Sequence, residues 1–295
     1  TTSERSTADR TRTYQPNQFL FMNSQFVRST LLFCLIGALF IGAGSTGSVP
    51  PIPRPLLLPE GAHISLIGGN LGARMLNYGS FETELHLRYP GKRLFIRNLC
   101  DGGDTPGFRP HSGRDDAWAF PGAERFQTEL AQNSHSEGTF PKPDAWLTTL
   151  KTDVVIAFFG FSESFAGAAG LPAFKAELTA FVEHTRKKRY NGHSAPQLAL
   201  VSPTAFQDLS GTYDLPDGTA ENRNLSLYAK AMEEVAQKHG VAFLDAFTPS
   251  RAWFNADNPA DQSPLTIDGV QLTEAGYQSF ARPLTDRLVA PGPVV

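Results

Sequence analysis

The stretch TDVVIAFFG, Thr152–Gly160, decides the fold. From Val154 to Phe159 every residue is apolar, so the segment has no side to turn to water and reads as a central strand buried on both faces. Working outward, HISLIG (His63–Gly68), KRLFIRNL (Lys92–Leu99), PQLALVSP (Pro196–Pro203) and VAFLDAF (Val241–Phe247) read as four more strands. Amphipathic stretches lie between them: ARMLNYGSFETELHLRY (Ala73–Tyr89), LPAFKAELTAFVEHTRKKR (Leu171–Arg189) and AENRNLSLYAKAMEEVAQKHG (Ala220–Gly240). Gly240 stops the third of these, and a last helix opens at Thr273. Strands alternating with helices, and lacking a polar face, predict a three-layer α/β/α sandwich around a mainly parallel five-stranded sheet. Ligands of such sheets bind beyond the carboxyl ends of the strands. The loops that start at Gly68, Leu99, Gly160, Val201 and Asp245 are therefore the ones that matter.

Composition narrows the function classes. The 295 residues are 41% hydrophobic and 19% charged, enough for one large core and without the charge excess of a disordered chain. A net charge of −3 gives no reason to expect a nucleic-acid partner. The one basic run, Arg186–Arg189, suits the carbonyl end of a helix. Residues 1–21 are polar and aperiodic and read as a non-native or upstream segment; Met22 then opens signal-peptide grammar. Arg28 supplies the positive region, Leu31 to Ala43 an apolar run of 13 residues, and small residues follow. That run is short for a membrane span of roughly 20 residues. Residues 22–44 are expected to be a signal peptide of an exported protein, with an uncleaved N-terminal anchor, the chain's one route to a membrane, as the alternative. Residues 45–60 form a proline-rich lead-in, and 61–290 the folded domain. Cys34 would leave with the signal, so Cys100 is expected unpaired.

Four loops lie where an acyl-transfer site is built: GGNLGARM after the first strand, RNLCDGGDTP after the second, FFGFSESFAG after the third, and DGVQL near the end. In order and spacing they resemble the four blocks of the SGNH (GDSL-type) hydrolases, over roughly Ala62 to Ala281. Within that superfamily the chain looks closest to secreted domains of planctomycete-type bacteria. The resemblance implies the SGNH, flavodoxin-like sandwich and hydrolysis of acyl or acetyl esters, often on carbohydrates. An acylated carbohydrate or small ester is the ligand it implies, with no cofactor.

Carried over residue by residue, the frame matches better than the chemistry. Asn70 stands at the nucleophile position, with Gly69 where the family has an acid; an amide is no acyl acceptor. Gly103 keeps the oxyanion position, where only a backbone N–H is needed. Ser162 replaces the third-block asparagine, and its shorter side chain still ends in a hydrogen-bond donor. Asp268 keeps the acid, but Gln271 stands for the histidine and cannot shuttle a proton near pH 7. The resemblance thus implies a degenerate ester hydrolase that serves as a binding or scaffold domain. The alternative is a working esterase with a rearranged site around Gly103, Ser162 and Asp268.

Plainer readings stand beside these. Asn70 suits a helix N-cap, Ser162 a loop or cap, and Ser65 points into the fold. Glu163 and Ser164 form a polar patch at a strand end, able to touch a polar ligand. Of seven histidines none lies in the last block, and His111 is the one to pair with Ser162 in a relocated site. The acidic loops DGGD (Asp101–Asp104), RDD (Arg114–Asp116) and NADNPAD (Asn255–Asp261) lack calcium-loop spacing and follow turn chemistry, so no metal is expected.

Overall fold

The computed structural model describes residues 55–111, 113–133, 138–255 and 264–290. The sequence segments 1–21 and 22–44, most of the proline-rich lead-in, Cys34 and nearly all of NADNPAD lie outside them. Five strands form one sheet: β1 (His63–Gly68), β2 (Phe95–Asn98), β3 (Val154–Phe158), β4 (Gln197–Val201) and β5 (Ala242–Leu244). Every pairing is parallel and the order is β2-β1-β3-β4-β5. The expected central strand is β3, with all five residues buried. The outer strands are shorter because each is paired along one edge alone; β5 keeps three residues of the seven-residue run.

The helices are α1 (Asn70–Ala73), α2 (Ser80–Arg88), α3 (Thr128–Asn133), α4 (Pro143–Thr149), α5 (Phe161–Ser164), α6 (Gly167–Lys187), α7 (Thr219–His239), α8 (Phe247–Asn255) and α9 (Glu274–Leu288). Alternation along the strands sorts them into layers. Ile64, Leu66, Val154, Ile156 and Phe158 pack with Phe81 and Leu85 of α2 and Phe280 and Leu284 of α9. Ile67, Val155, Ala157, Leu198 and Leu200 face the other way, against Phe174 and Leu178 of α6 and Met232 and Val235 of α7. The α/β/α sandwich is thus built from one alternating pattern. Among the described residues no helix is long and apolar enough to cross a membrane.

Three local expectations need correction. The stretch Ala73–Tyr89 is not one helix: a 3-10 turn at Arg74–Leu76 and a break at Asn77–Gly79 separate α1 from α2. Asn and Gly are poor helix formers, and this break lets Phe81 and Leu85, one turn apart, both face the core. The second long helix starts at Gly167, upstream of Leu171, and carries Pro172 inside it. Gly69, not Asn70, is the N-cap of α1, and Asn70 is its first helical residue. The stops agree with the sequence: Gly240 caps α7 at φ +61°, and the Thr273 side chain accepts from Gly276 N at the start of α9.

Candidate functional site

The strand order reverses direction between β1 and β3, and their carboxyl ends open into a small cleft. Gly68 makes this junction possible. Its φ is +112°, and a Cβ there would stand 2.1 Å from the Phe158 carbonyl oxygen, so only glycine fits. The next N–H, of Gly69, donates to that same Phe158 oxygen at 2.8 Å and fixes the start of α1. Asp101 N donates to Gly68 O at 2.9 Å, which draws the second loop against the first. After β3, Gly160 at φ +94° turns the chain into α5.

Three of the five candidate residues line this cleft: Asn70, Ser162 and Gln271. They come from three different loops, which the tertiary fold sets around one cleft. The Asn70 amide oxygen points toward the second loop; a Cβ on Gly102 would come within 3.1 Å of it. Gly103 and Asp268 do not line the cleft. Gly103 is exposed at φ +90°, and Oδ1 of Asp268 is engaged in its own turn, accepting from Val270 N at 3.0 Å and Gln271 N at 2.8 Å. The acid therefore shapes the loop that presents Gln271.

No described histidine lines the cleft. His111 sits edge-on to Phe140 and Trp146, with ring centroids 5.1 and 6.2 Å away, so the structure does not bring a Ser162–His111 pair together there. Ser65 is buried, its hydroxyl 2.7 Å from that of Thr152. Ser202 does reach the cleft, but its hydroxyl already accepts from Ala246 N and Phe247 N. Tyr277 donates to Leu71 O at 2.8 Å, and burial pushes its phenol well above the usual range. Among the described residues no group of three or more His, Cys, Asp or Glu is placed to hold a metal ion. Cys100 is buried and unpaired.

Two acids are what the sequence reading underrated. Asp104, taken as part of a turn, lines the cleft while only 2% exposed, and neither carboxyl oxygen has a hydrogen-bond partner. Burial raises its pKa to about 8, with Asp101 adding to the rise and Arg109 and Arg114 opposing it. Glu163 also lines the cleft. One of its oxygens accepts from Gly160 N at 2.9 Å and closes the first turn of α5, but Oε1 is buried without a partner. Burial is again the main reason its pKa lies near 8, reinforced by Glu177 and Asp104. Arg74, on the turn after α1, lines the cleft too, with its Nε buried and unpartnered. The available signal was adjacency: Asp104 follows Gly103, Glu163 follows Ser162, and Arg74 lies one turn beyond Asn70.

The loop carrying Asp104 is held from below by Glu177 of α6. This 3%-exposed carboxylate accepts from Thr105 Oγ1 and Gly107 N, each at 2.9 Å, and from the Gln127 amide at 3.3 Å. Arg109 packs beside it, over the rings of Phe181 and Phe159 at 5.4 and 5.9 Å.

The model of the GDSL-like lipase/acylhydrolase family matches residues 104–279, more than half of the chain. The chain belongs to the GDSL-like lipase/acylhydrolase family. The match takes in Ser162, Asp268 and Gln271, while Asn70 and Gly103 precede it. Among solved structures, Axe2, an acetylxylan esterase from Geobacillus stearothermophilus, is similar with a TM-score of 0.51. Identity is 15%, over 78% of this chain and 95% of that one. LAE5, an α/β hydrolase enzyme from the metagenome of Lake Arreo in Spain, gives a TM-score of 0.51 at 16% identity, over 78% of this chain and 96% of its own. At such identities the likeness is one of fold, that of the SGNH hydrolases. No protein of curated function matches the sequence.

Proposed function

We propose that this GDSL-family domain binds an acylated carbohydrate or small ester in the cleft at the end of β1 and β3 without hydrolysing it. One observation supports the reading: Asn70 and Gln271, which the resemblance puts at the serine and histidine positions, both line the cleft, and no described histidine lines it. Loss of a triad member costs on the order of 10⁴–10⁶ in rate, so loss of nucleophile and base together leaves binding as the function of the site. Export follows from the signal-like segment at residues 22–44.

The second reading, a working esterase, is favoured by Ser162, which lines the same cleft. Hydrolysis of p-nitrophenyl acetate and acetylated xylo-oligosaccharides by the full chain separates the two, with a serine-directed fluorophosphonate probe alongside. The natural chain is expected to give background rates and no label, and the Asn70→Ser/Gln271→His pair to gain both turnover and labelling. Turnover by the natural chain with a label on Ser162 makes it an esterase with a rearranged site and overturns the binding reading.

A further inference from the structure

Two carboxyl groups in the cleft have work left undone. Both oxygens of Asp104 and one of Glu163 are buried there without a hydrogen-bond partner. A buried acceptor in a folded protein ordinarily finds a donor, and unmet acceptors that share one concave site mark where a ligand supplies it. We propose that Asp104 and Glu163 are the ligand-recognising pair of this cleft and accept hydrogen bonds from the hydroxyl groups of an uncharged, ring-shaped polyol. The inference deepens the binding reading and rests on it.

The charges around the pair select the ligand class. Arg74 lines the cleft, and the buried Arg109 and Arg114 act on Asp104 from outside it, so a cationic ligand is opposed by Arg74 and finds Asp104 already offset. An anionic ligand such as a carboxylate brings no hydrogen to the unmet carboxyl acceptors. Neutral donors remain, and hydroxyl groups are the compact ones. The remaining wall is apolar, with Phe161, Val270 and Leu272 available to the C–H face of a saturated ring. Glu177 is the positioning residue: it grips Thr105 and Gly107 and so keeps Asp104 aimed into the cleft.

Proton linkage gives a readout that a purely structural acid pair would not. Hydroxyl donors favour the ionised carboxylate, so binding near neutral pH expels protons from groups otherwise neutral there. The groups facing Asp104 are Asp101, Cys100, Arg109 and Arg114; those facing Glu163 are Glu177, Asp104 and Tyr228. Arg74 completes the charged lining.

The test is calorimetric titration of the full chain with xylotriose, an unesterified probe, in buffers of different ionisation heat between pH 6.5 and 8.5. Per-O-methylated xylotriose serves as the donorless control. The expected result is saturable binding with proton release that fades above pH 8, and no binding of the methylated sugar. Asp104→Asn and Glu163→Gln should each weaken binding roughly tenfold, the cost of one charge-assisted hydrogen bond. Absence of heat with xylotriose overturns the proposal, as does equal binding of the methylated sugar, or wild-type affinity and proton release in Glu163→Gln. The Glu163 variant and the wild-type proton count decide the matter even if Asp104→Asn does not fold. Ester hydrolysis by the natural chain would sink the non-hydrolytic reading alone and leave the sugar titration interpretable.

Discussion

Asp104 is a carboxylic acid held where a carboxylate is costly. Burial places its folded pKa near 8 against an ordinary value of 3.8, so the folded state retains a proton that the unfolded chain gives up. Stability linked to this group is fully present below the ordinary value and is lost as pH rises through about 8. Glu163 adds to the same trend. Melting temperature is therefore expected to fall between pH 5 and pH 8, and to fall less in Asp104→Asn. The gap between the two proteins should widen by at least ~2–4 °C, the melting shift of about 1 kcal/mol in a domain of this size. Parallel thermal scans at the two pH values check it, and parallel curves would refute it. At this scale the sequence was half legible. Asn70, Ser162 and Gln271 line the cleft, and the sequence reading reached them through spacing that resembles the family's blocks. Asp104 was passed over because an acid in a glycine-rich loop has the same letters whether it caps a turn or faces a cleft; burial distinguishes the two.

At the scale of elements, the site depends on how closely β1 runs past β3. Gly68 pairs with Phe158, and the left-handed backbone there sends the chain across the sheet top into α1. Gly68→Ala is expected to cost roughly 2–3 kcal/mol or more, since the added methyl meets a backbone oxygen that cannot move without breaking the β1–β3 ladder. Urea denaturation measures this, and an unchanged midpoint would show that the loop can relax. Most element boundaries were readable, since Gly240 and Thr273 carry their own capping chemistry. The break between α1 and α2 was missed because the hydrophobic spacing of Ala73–Tyr89 runs through it, and tertiary packing decided which turn to give up.

On the scale of the molecule, the sheet is a shared wall between two cores. Leu178 of α6 is fully buried on one face and Leu284 of α9 on the other. Each truncation to Ala should cost roughly 2–5 kcal/mol. Because both cores rest on β1, β3 and β4, either change should shift one cooperative transition. Calorimetry checks this, and a second, separate transition in either variant would show that the layers melt independently. The sequence by itself determined the strands, the layers and the family frame, because hydrophobic alternation and turn chemistry act over a few residues. It also supplied Asn70 and Gln271 at the two positions on which the binding reading proposed above rests, since side-chain identity is chemistry already. The tertiary structure alone decided which loop residues share a cleft. Asn70, Asp104, Glu163 and Gln271 stand far apart along the chain, and only parallel packing of β1 against β3 sets their loops side by side. It also withdrew Gly103, Asp268 and His111 from the lining, because burial and hydrogen-bond partners are properties of the folded surroundings.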